Sequence, residues 1–449
     1  MFKRKAYDAL LKWKQSSNGR TAALIEGARR VGKSTVVRAF GETEYKEFLL
    51  LDFSEEGDDV KGLFTSGLTD LDSFFRNLFL LKGKSLPVGE SVIILDEVQL
   101  FPRARQAIKQ LVADGRYHYI ETGSLISIRQ NVKDILIPSE EHRIRMYPMD
   151  FEEFLAARGD HVTARAIRES FERLEPMGEA IHRKVLRQFR EYMATGGMPQ
   201  VVAEYVDGAT YEQIDFAKRA ILSLYEEDLH KYDSERHGRV SAIFKSVPRQ
   251  LGNQSMKFKF AEVETGARYD RLVSSVEFLR ESMTVNICEN VTVPDPLVDL
   301  YVQQDNFKAF MGDTGLLVTA VSAGFGDEPD ALYKALIFGK LGSNLGMVME
   351  NMVAQMLVAS GHELRFHEFK YQPAGLAAPK RYEIDFLLTS GRKLRAIEVK
   401  SSGYKTHASL DFFFEKYDIK AGGRYVLYSK DLAHDGEIVY LPWYMAMCL

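Results

Sequence analysis

The chain has little cysteine: two in 449 residues, Cys288 and Cys448, with no second pair nearby. That excludes a disulfide-built scaffold and a cysteine-ligated zinc site, and it fits a reducing compartment. It also lacks any apolar run near the roughly 18 residues that a membrane span requires, so no membrane partner is expected. The opening MFKRKAYDALLKWK is basic but has no apolar signal-peptide core. Net charge is nearly absent too, since 59 Lys and Arg meet 63 Asp and Glu and leave −4. With 27% charged and 45% hydrophobic residues, a disordered polyelectrolyte is excluded. No low-complexity segment or fixed-period repeat is present. The expectation is a soluble cytoplasmic chain of two to four domains, at roughly 100–200 residues each.

The charge that is present is unevenly spread. Residues 1–40 carry ten Lys or Arg against Asp8 and Glu26, an excess of +8. Residues 236–271 carry eight against Glu262, Glu264 and Asp270, an excess of +5. Such patches can bind phosphates on an otherwise neutral chain. A solvated helix face is the plain alternative for each.

The first patch contains a motif. The apolar run 21–26 reads as a buried strand. It leads into Gly27-Ala28-Arg29-Arg30-Val31-Gly32-Lys33-Ser34, which fits G-x-x-x-x-G-K-[ST] at every fixed position, with Thr35 following. Glycines there let backbone N–H groups turn inward on a phosphate, and the next helix aims its positive end at the same point. Lys33 is placed to reach the β- and γ-phosphates of ATP, and Ser34 to hold Mg²⁺. A second apolar strand, 91–95, ends in Asp96-Glu97, the form of a Walker B segment. Asp96 is the expected Mg²⁺ carboxylate and Glu97 the base for the attacking water. A third strand, 117–121, runs into Thr122-Gly123-Ser124. Ser124 or Thr122 is a γ-phosphate sensor or an ordinary helix cap. Strands alternating with helices over 20–150 predict a helix-covered parallel sheet with nucleotide at its carboxyl edge.

Several segments then occur in a characteristic order: GARRVGKST (27–35), IILDEVQ (93–99), ETGS (121–124), YPMDFEEFL (147–155), ATGGMPQVV (194–202), FKAFMGDTGLL (307–317), EIDFLL (383–388) and AIEVKSS (396–402). Together they resemble the bacterial and archaeal AAA+-type ATPases with a C-terminal endonuclease-like domain of unknown function. The resemblance implies an AAA+ core over 1–160, a helical lid or connector over 161–235, a winged-helix region over 236–325 and an α/β restriction-endonuclease-like domain over 326–449. It places the segment ending at Pro199 near the nucleotide. It also implies a ring-shaped homo-oligomer, a hexamer as first count, in which an arginine finger reaches a neighbour's ATP. The family usually has Gly-Arg before its Tyr-Pro segment, whereas this chain has His142-Arg143. Arg143 keeps the guanidinium without the glycine; Arg129 and Arg145 are rivals.

In the middle of the chain, Leu186, Phe189, Tyr192 and Met193 recur at helical spacing and read as core. Residues 236–290 read as helix, turn, helix and then a wing strand at 284–288. Lys257, Lys259, Arg268 and Arg271 suit phosphate contacts in such a module, but winged helices also bind proteins. Cys288 reads as a buried small hydrophobe.

A second constellation lies near the C-terminus. In 381–388, Tyr382, Ile384, Phe386 and Leu388 share one strand face, and Glu383 and Asp385 the other. After a turn, Glu398 and Lys400 are two apart on the next strand. A hairpin with matched faces brings Asp385, Glu398 and Lys400 together. This resembles the PD-(D/E)xK nucleases, in which an upstream helical Glu often completes the site. Glu350, at the edge of the apolar arc of 344–360, fills that place. The resemblance makes Asp385 and Glu398 Mg²⁺ ligands and gives Lys400 the water or the developing phosphorane charge. The plain alternative is a cross-strand Glu398–Lys400 pair with Glu350 at a rim. The leading expectation is a motor acting on DNA, branched or Holliday-junction DNA included, with a tail that binds or cuts it. The rival is a nucleotide-gated switch that binds proteins.

Overall fold

The run Ala-Ala-Leu-Ile has no polar side to offer water, and it forms a strand buried at every position, β1 (Ala22–Glu26). The computed structural model describes the chain apart from residues 125–137, 234–237, 254, 323–328, 340–344, 375–376, 418 and 420. The rival finger Arg129 therefore lies outside the described residues. Two units are distinguished: Met1–Tyr147 with Glu281–Met283, and Pro148–Arg280 with Thr284–Leu449.

In the first unit β1 joins β2 (Glu47–Asp52), β3 (Ser91–Asp96), β4 (His118–Gly123) and β5 (Glu141–Arg145) in the order β2-β3-β4-β1-β5. Every pairing is parallel. A parallel sheet needs cover on both faces, so β3 is buried throughout like β1. Phe53, Phe64, Phe74, Phe75 and Tyr117 form one packed layer, mostly edge to face. Each such buried ring is worth about 1.5–3 kcal/mol, which holds the sheet rigid beneath its loops. The order matters for function. Because β4 lies between β1 and β3, a side chain at the end of β4 can reach the acids that end β3.

The second unit begins helical. Leu186, Phe189, Tyr192 and Met193 are buried on one side of the helix Glu179–Thr195. That helix ends at Gly196, with φ +84°, where a Cβ would lie 2.4 Å from Asp313 Oδ1. Only glycine permits this approach. Asp313 accepts from the Gly197 N–H at 2.6 Å and the Leu316 N–H at 2.9 Å. The segments ATGGMPQVV and FKAFMGDTGLL, apart by more than a hundred residues, thus meet. Pro199 starts the helix Pro199–Val206. Asn351 and Gln355, on the helix Leu345–Ala359, accept from the N–H groups of Met311 and Thr314 at 2.7 Å each.

Two sheets follow. β6 (Val285–Val291), β7 (Val302–Met311), β8 (Arg365–Tyr371) and β9 (Lys380–Ile384) take the order β7-β6-β8-β9. β10 (Phe386–Ser390), β11 (Lys393–Val399), β12 (Ala421–Tyr428), β13 (Ala433–Asp435) and β14 (Ile438–Pro442) take the order β10-β11-β12-β14-β13. One sequence expectation changes here. The single alternating strand over 381–388 is two strands that part at Asp385: β9 pairs with β8, and β10 pairs with β11. Beyond Asp385 alternation fails because β10 is covered on both faces. Phe386 packs on the Phe310 ring and Leu387 joins Leu394, Ala396 and Phe413. The strand expected as a wing, 284–288, falls in β6, which is flanked by β7 and β8. One sheet therefore draws strands from both 236–325 and 326–449.

Candidate functional site

In the first unit the loop after β1 closes around its lysine. Gly32 takes φ +95° as it enters the helix Lys33–Glu44, a conformation that favours glycine. The first turn of that helix carries no acid, although the helices Asp58–Ser66 and Leu71–Lys82 do. Its positive end is thus left for an external anion. The Lys33 side chain is buried, and its ammonium donates to the Gly27 carbonyl at 3.1 Å and the Ala28 carbonyl at 3.0 Å. Burial pushes its pKa down, against the pull of Glu97 and Asp96. Arg4 ties the loop to the rest of the unit, donating to the carbonyls of Val31 and Tyr147 at 2.7 Å each. Arg29, Arg30 and Thr35 are exposed and Ser34 is half-buried at the first turn of the helix.

Asp96 is buried at the end of β3, and the Thr122 hydroxyl, from β4, donates to its Oδ1. Of the two sensor candidates, Thr122 is the one that reaches across to β3; Ser124 follows β4 and is half-buried. Glu97 sits at φ +55°, a left-handed conformation that costs a non-glycine residue about 1–3 kcal/mol. Its carboxylate accepts from Gln99 Nε2. Asp96 and Glu97 are the acids that face Lys33 electrostatically. Arg143, on the edge strand β5, is half exposed and lies 3.9 Å from Glu26 Oε1. Burial raises the Glu26 pKa, and Arg143 is the chief opposing influence. The residues fit a Mg²⁺-nucleotide. A buried cation hydrogen-bonded to two neutral carbonyls, an acid-free helix end and a carboxylate–hydroxyl pair meet at one sheet edge.

The second unit holds the other constellation. Asp385, at the break between β9 and β10, accepts from the Val399 N–H through Oδ2 at 2.7 Å. Glu398 on β11 pairs with Lys400, and its other oxygen is buried without a hydrogen-bond partner among the described residues. Burial and the neighbouring Asp385 raise the Glu398 pKa to about 7, against the pull of Lys400. Glu350 comes in from the helix Leu345–Ala359. All four residues singled out in the sequence therefore belong to one cluster. Two residues that sequence reasoning did not select join them. Lys308, on β7 and 1% exposed, places its ammonium 2.6 Å from Glu383, 3.2 Å from Glu350 and 4.0 Å from Asp385. Burial works against its charge, but the three acids outweigh it and hold its pKa well above the ordinary value. Nothing local in the sequence marks Lys308, a single lysine in the run Phe307–Met311. Among the described residues no group of three or more His, Cys, Asp or Glu is arranged to hold a metal ion. The acids converge on a lysine instead, so this cluster does not fit Mg²⁺.

The basic stretch 236–271 is largely paired. Arg239 and Arg271 reach Glu264 at 3.2 and 2.5 Å. Lys259 and Arg249 reach Glu262 at 3.4 and 3.9 Å. Lys257 pairs with Glu368, and Lys245 with Glu226 at 3.1 Å.

The sheet order, the loop around Lys33 and the Asp96–Thr122 contact are those of a P-loop nucleotide-binding domain. Residues 19–155 match the family model of an AAA domain. Two further matches are to domains of unknown function, DUF8612 over residues 186–327 and DUF4143 over residues 345–444. No curated protein matches the chain. Among solved structures, the chain is similar to a Walker-type ATPase of Pyrococcus abyssi, at 16% identity over 72% of this chain and 96% of that one, with TM-score 0.41. It is similar to Cdc6p from Pyrobaculum aerophilum at 13% identity over 75% and 93%, TM-score 0.23. It is also similar to a chain in a structure of Drosophila ORC bound to DNA, at 11% identity over 72% and 96%, TM-score 0.24. Among the described residues no helix is long and apolar enough to cross a membrane.

Proposed function

We propose that the chain is a Mg²⁺-dependent ATPase of AAA+ type that acts on DNA. The observation that carries the ATPase reading is the Lys33 ammonium, buried and bonded among the described residues to its loop's carbonyls, facing Asp96 and Glu97. In this reading residues 27–35 wrap the phosphates and Lys33 exchanges its carbonyl partners for phosphate oxygens. Ser34 and Asp96 hold Mg²⁺, which neutralises charge on the β- and γ-phosphates when bound. Thr122 fixes the Asp96 carboxylate, and Glu97 takes the proton of the attacking water. Arg143 serves a neighbouring copy in a ring, for which six subunits are the starting count.

DNA contact is assigned to the two helices Arg239–Leu251 and Tyr269–Glu281 and the β6–β7 pair that follows them, the order of a winged helix. We read 326–449 as a nuclease-like scaffold. Its acids do not fit Mg²⁺. One observation favours a second reading, a nucleotide-gated switch that binds protein partners. Glu226 and Glu368 bring the local excess of the basic stretch from +5 down to +3, and its cations are largely engaged in ion pairs.

ATP hydrolysis with Mg²⁺, measured with and without duplex, single-stranded and four-way-junction DNA, separates the two. Stimulation by one DNA form, with binding that weakens steeply as salt rises, supports the first. Hydrolysis indifferent to every DNA, with no salt-sensitive binding, supports the second. No hydrolysis under any condition overturns both.

A further inference from the structure

We propose that Lys308 stands in the carboxylate cluster where a metalloenzyme would hold a divalent cation, making the cluster a metal-independent ion lock. The ammonium lies among oxygens of Glu350, Glu383 and Asp385 that come from three places in the sequence: a helix, β9, and the break after β9. A Mg²⁺ ion demands six oxygens at about 2.0–2.1 Å, several of them water. Here the central position already carries a charge, and a second cation beside it would be repelled. Lys308 has little freedom to leave. Its stretch of β7, Phe307–Met311, is paired with β6, Lys308 lying opposite Cys288; its backbone also bridges to Lys257, and its ammonium lies 5.4 Å from the centre of the Phe366 ring.

Asp385 Oδ2 is taken by the Val399 N–H, and one Glu398 oxygen by Lys400. The other Glu398 oxygen is left buried without a hydrogen-bond partner among the described residues, and a single free oxygen does not make a site for a divalent ion. What the lysine does is mechanical. It joins β7 to the helix Leu345–Ala359 and to β9, and so ties the sheet β7-β6-β8-β9 to the helix that crosses it.

The test is thermal melting of the full chain without nucleotide, in EDTA and in a Mn²⁺ titration. Wild type, Asp385→Asn and Lys308→Ala are compared. In the expected result wild type melts alike in EDTA and in Mn²⁺, or shifts by the same amount as Asp385→Asn, as binding elsewhere would give. Lys308→Ala, with the acids left and space opened, melts several degrees lower in EDTA and recovers in Mn²⁺ by more than wild type shifts. Mn²⁺ stabilisation of wild type that Asp385→Asn loses would overturn the proposal. So would a folded Lys308→Ala that melts with wild type or ignores Mn²⁺. Where Lys308→Ala does not fold, the wild type and Asp385→Asn pair decides.

Discussion

Lys33 and Lys308 are both buried lysines, and their surroundings push them in opposite directions. Burial lowers the Lys33 pKa, and its nearest partners are two neutral carbonyls. Lys308 is raised well above the ordinary lysine value by the three acids around it, although burial alone would lower it. A cation bonded to carbonyls keeps its charge available for an anion. A cation among carboxylates has spent it. The comparison separates a site prepared for a ligand from a cluster that is complete by itself, although both combine lysine with acids.

The largest effect expected from breaking this comparison is at the first lysine. Lys33→Ala removes the charge that meets the phosphates, and ATP hydrolysis should fall at least ~10³-fold, as for loss of a preorganised charge contact. Phosphate release checks it, and normal turnover sinks the loop assignment. Next comes Glu97→Gln, which keeps the shape and the left-handed backbone but removes the base. Nucleotide binding should persist while hydrolysis drops ~10²-fold or more. Fluorescent-nucleotide titration beside a turnover assay separates the two. Equal losses of binding and turnover would mean that Glu97 shapes the site rather than serving as base.

At the second lysine the expected effect is on stability. Removing one partner from a buried ion cluster typically costs about 3–5 kcal/mol, because the others are left charged and unpaired. Lys308→Ala should therefore unfold at clearly lower urea than wild type, with ATP turnover per folded molecule unchanged. An unchanged urea midpoint would mean that the lysine does not tie these elements together, and it would overturn the ion lock.

The two lysines also differed in how far the sequence disclosed them. Lys33 is legible because everything that positions it is local: an apolar strand before it, glycines around it and a helix after it. Asp96 is legible for the same reason. The parallel sheet follows from strands buried on both faces, which read as unbroken apolar runs. Lys308 is not legible, because the acids that meet it are 42 or more residues away and arrive on other elements. In the run Phe-Lys-Ala-Phe-Met it reads as the outward residue of a half-exposed strand. The same limit hides the break at Asp385. Alternation predicts which residues share a face of one strand but cannot show that the strand leaves one sheet for another. Gly196 and Asp313 stand out as motif residues in the sequence, yet only the fold shows that the aspartate holds the glycine turn.

A third buried lysine sharpens the comparison and carries the smallest expected effect. Lys218, on the helix Tyr211–Asp233, donates to the Ala194 carbonyl at 2.6 Å and lies 4.5 Å from the centre of the Tyr333 ring. Asp215 and Asp313 attract it without enclosing it, and burial lowers its pKa to about 7. It thus sits nearer to Lys33 than to Lys308 in kind. The consequence for stability has a definite sign. The unfolded chain holds this proton up to about pH 10.4, and the folded chain releases it near 7. Between those values the unfolded state binds more protons, so this group makes stability rise with pH. Below about pH 7 both states are protonated, and the cost of burying the charge is present in full. Melting temperatures of wild type and Lys218→Met, taken at pH 7, 8.5 and 10, isolate the effect. The wild type should gain on the variant as pH rises across that range. A constant difference would mean that Lys218 stays charged when folded, held by Asp215 and Asp313 as Lys308 is held by its acids.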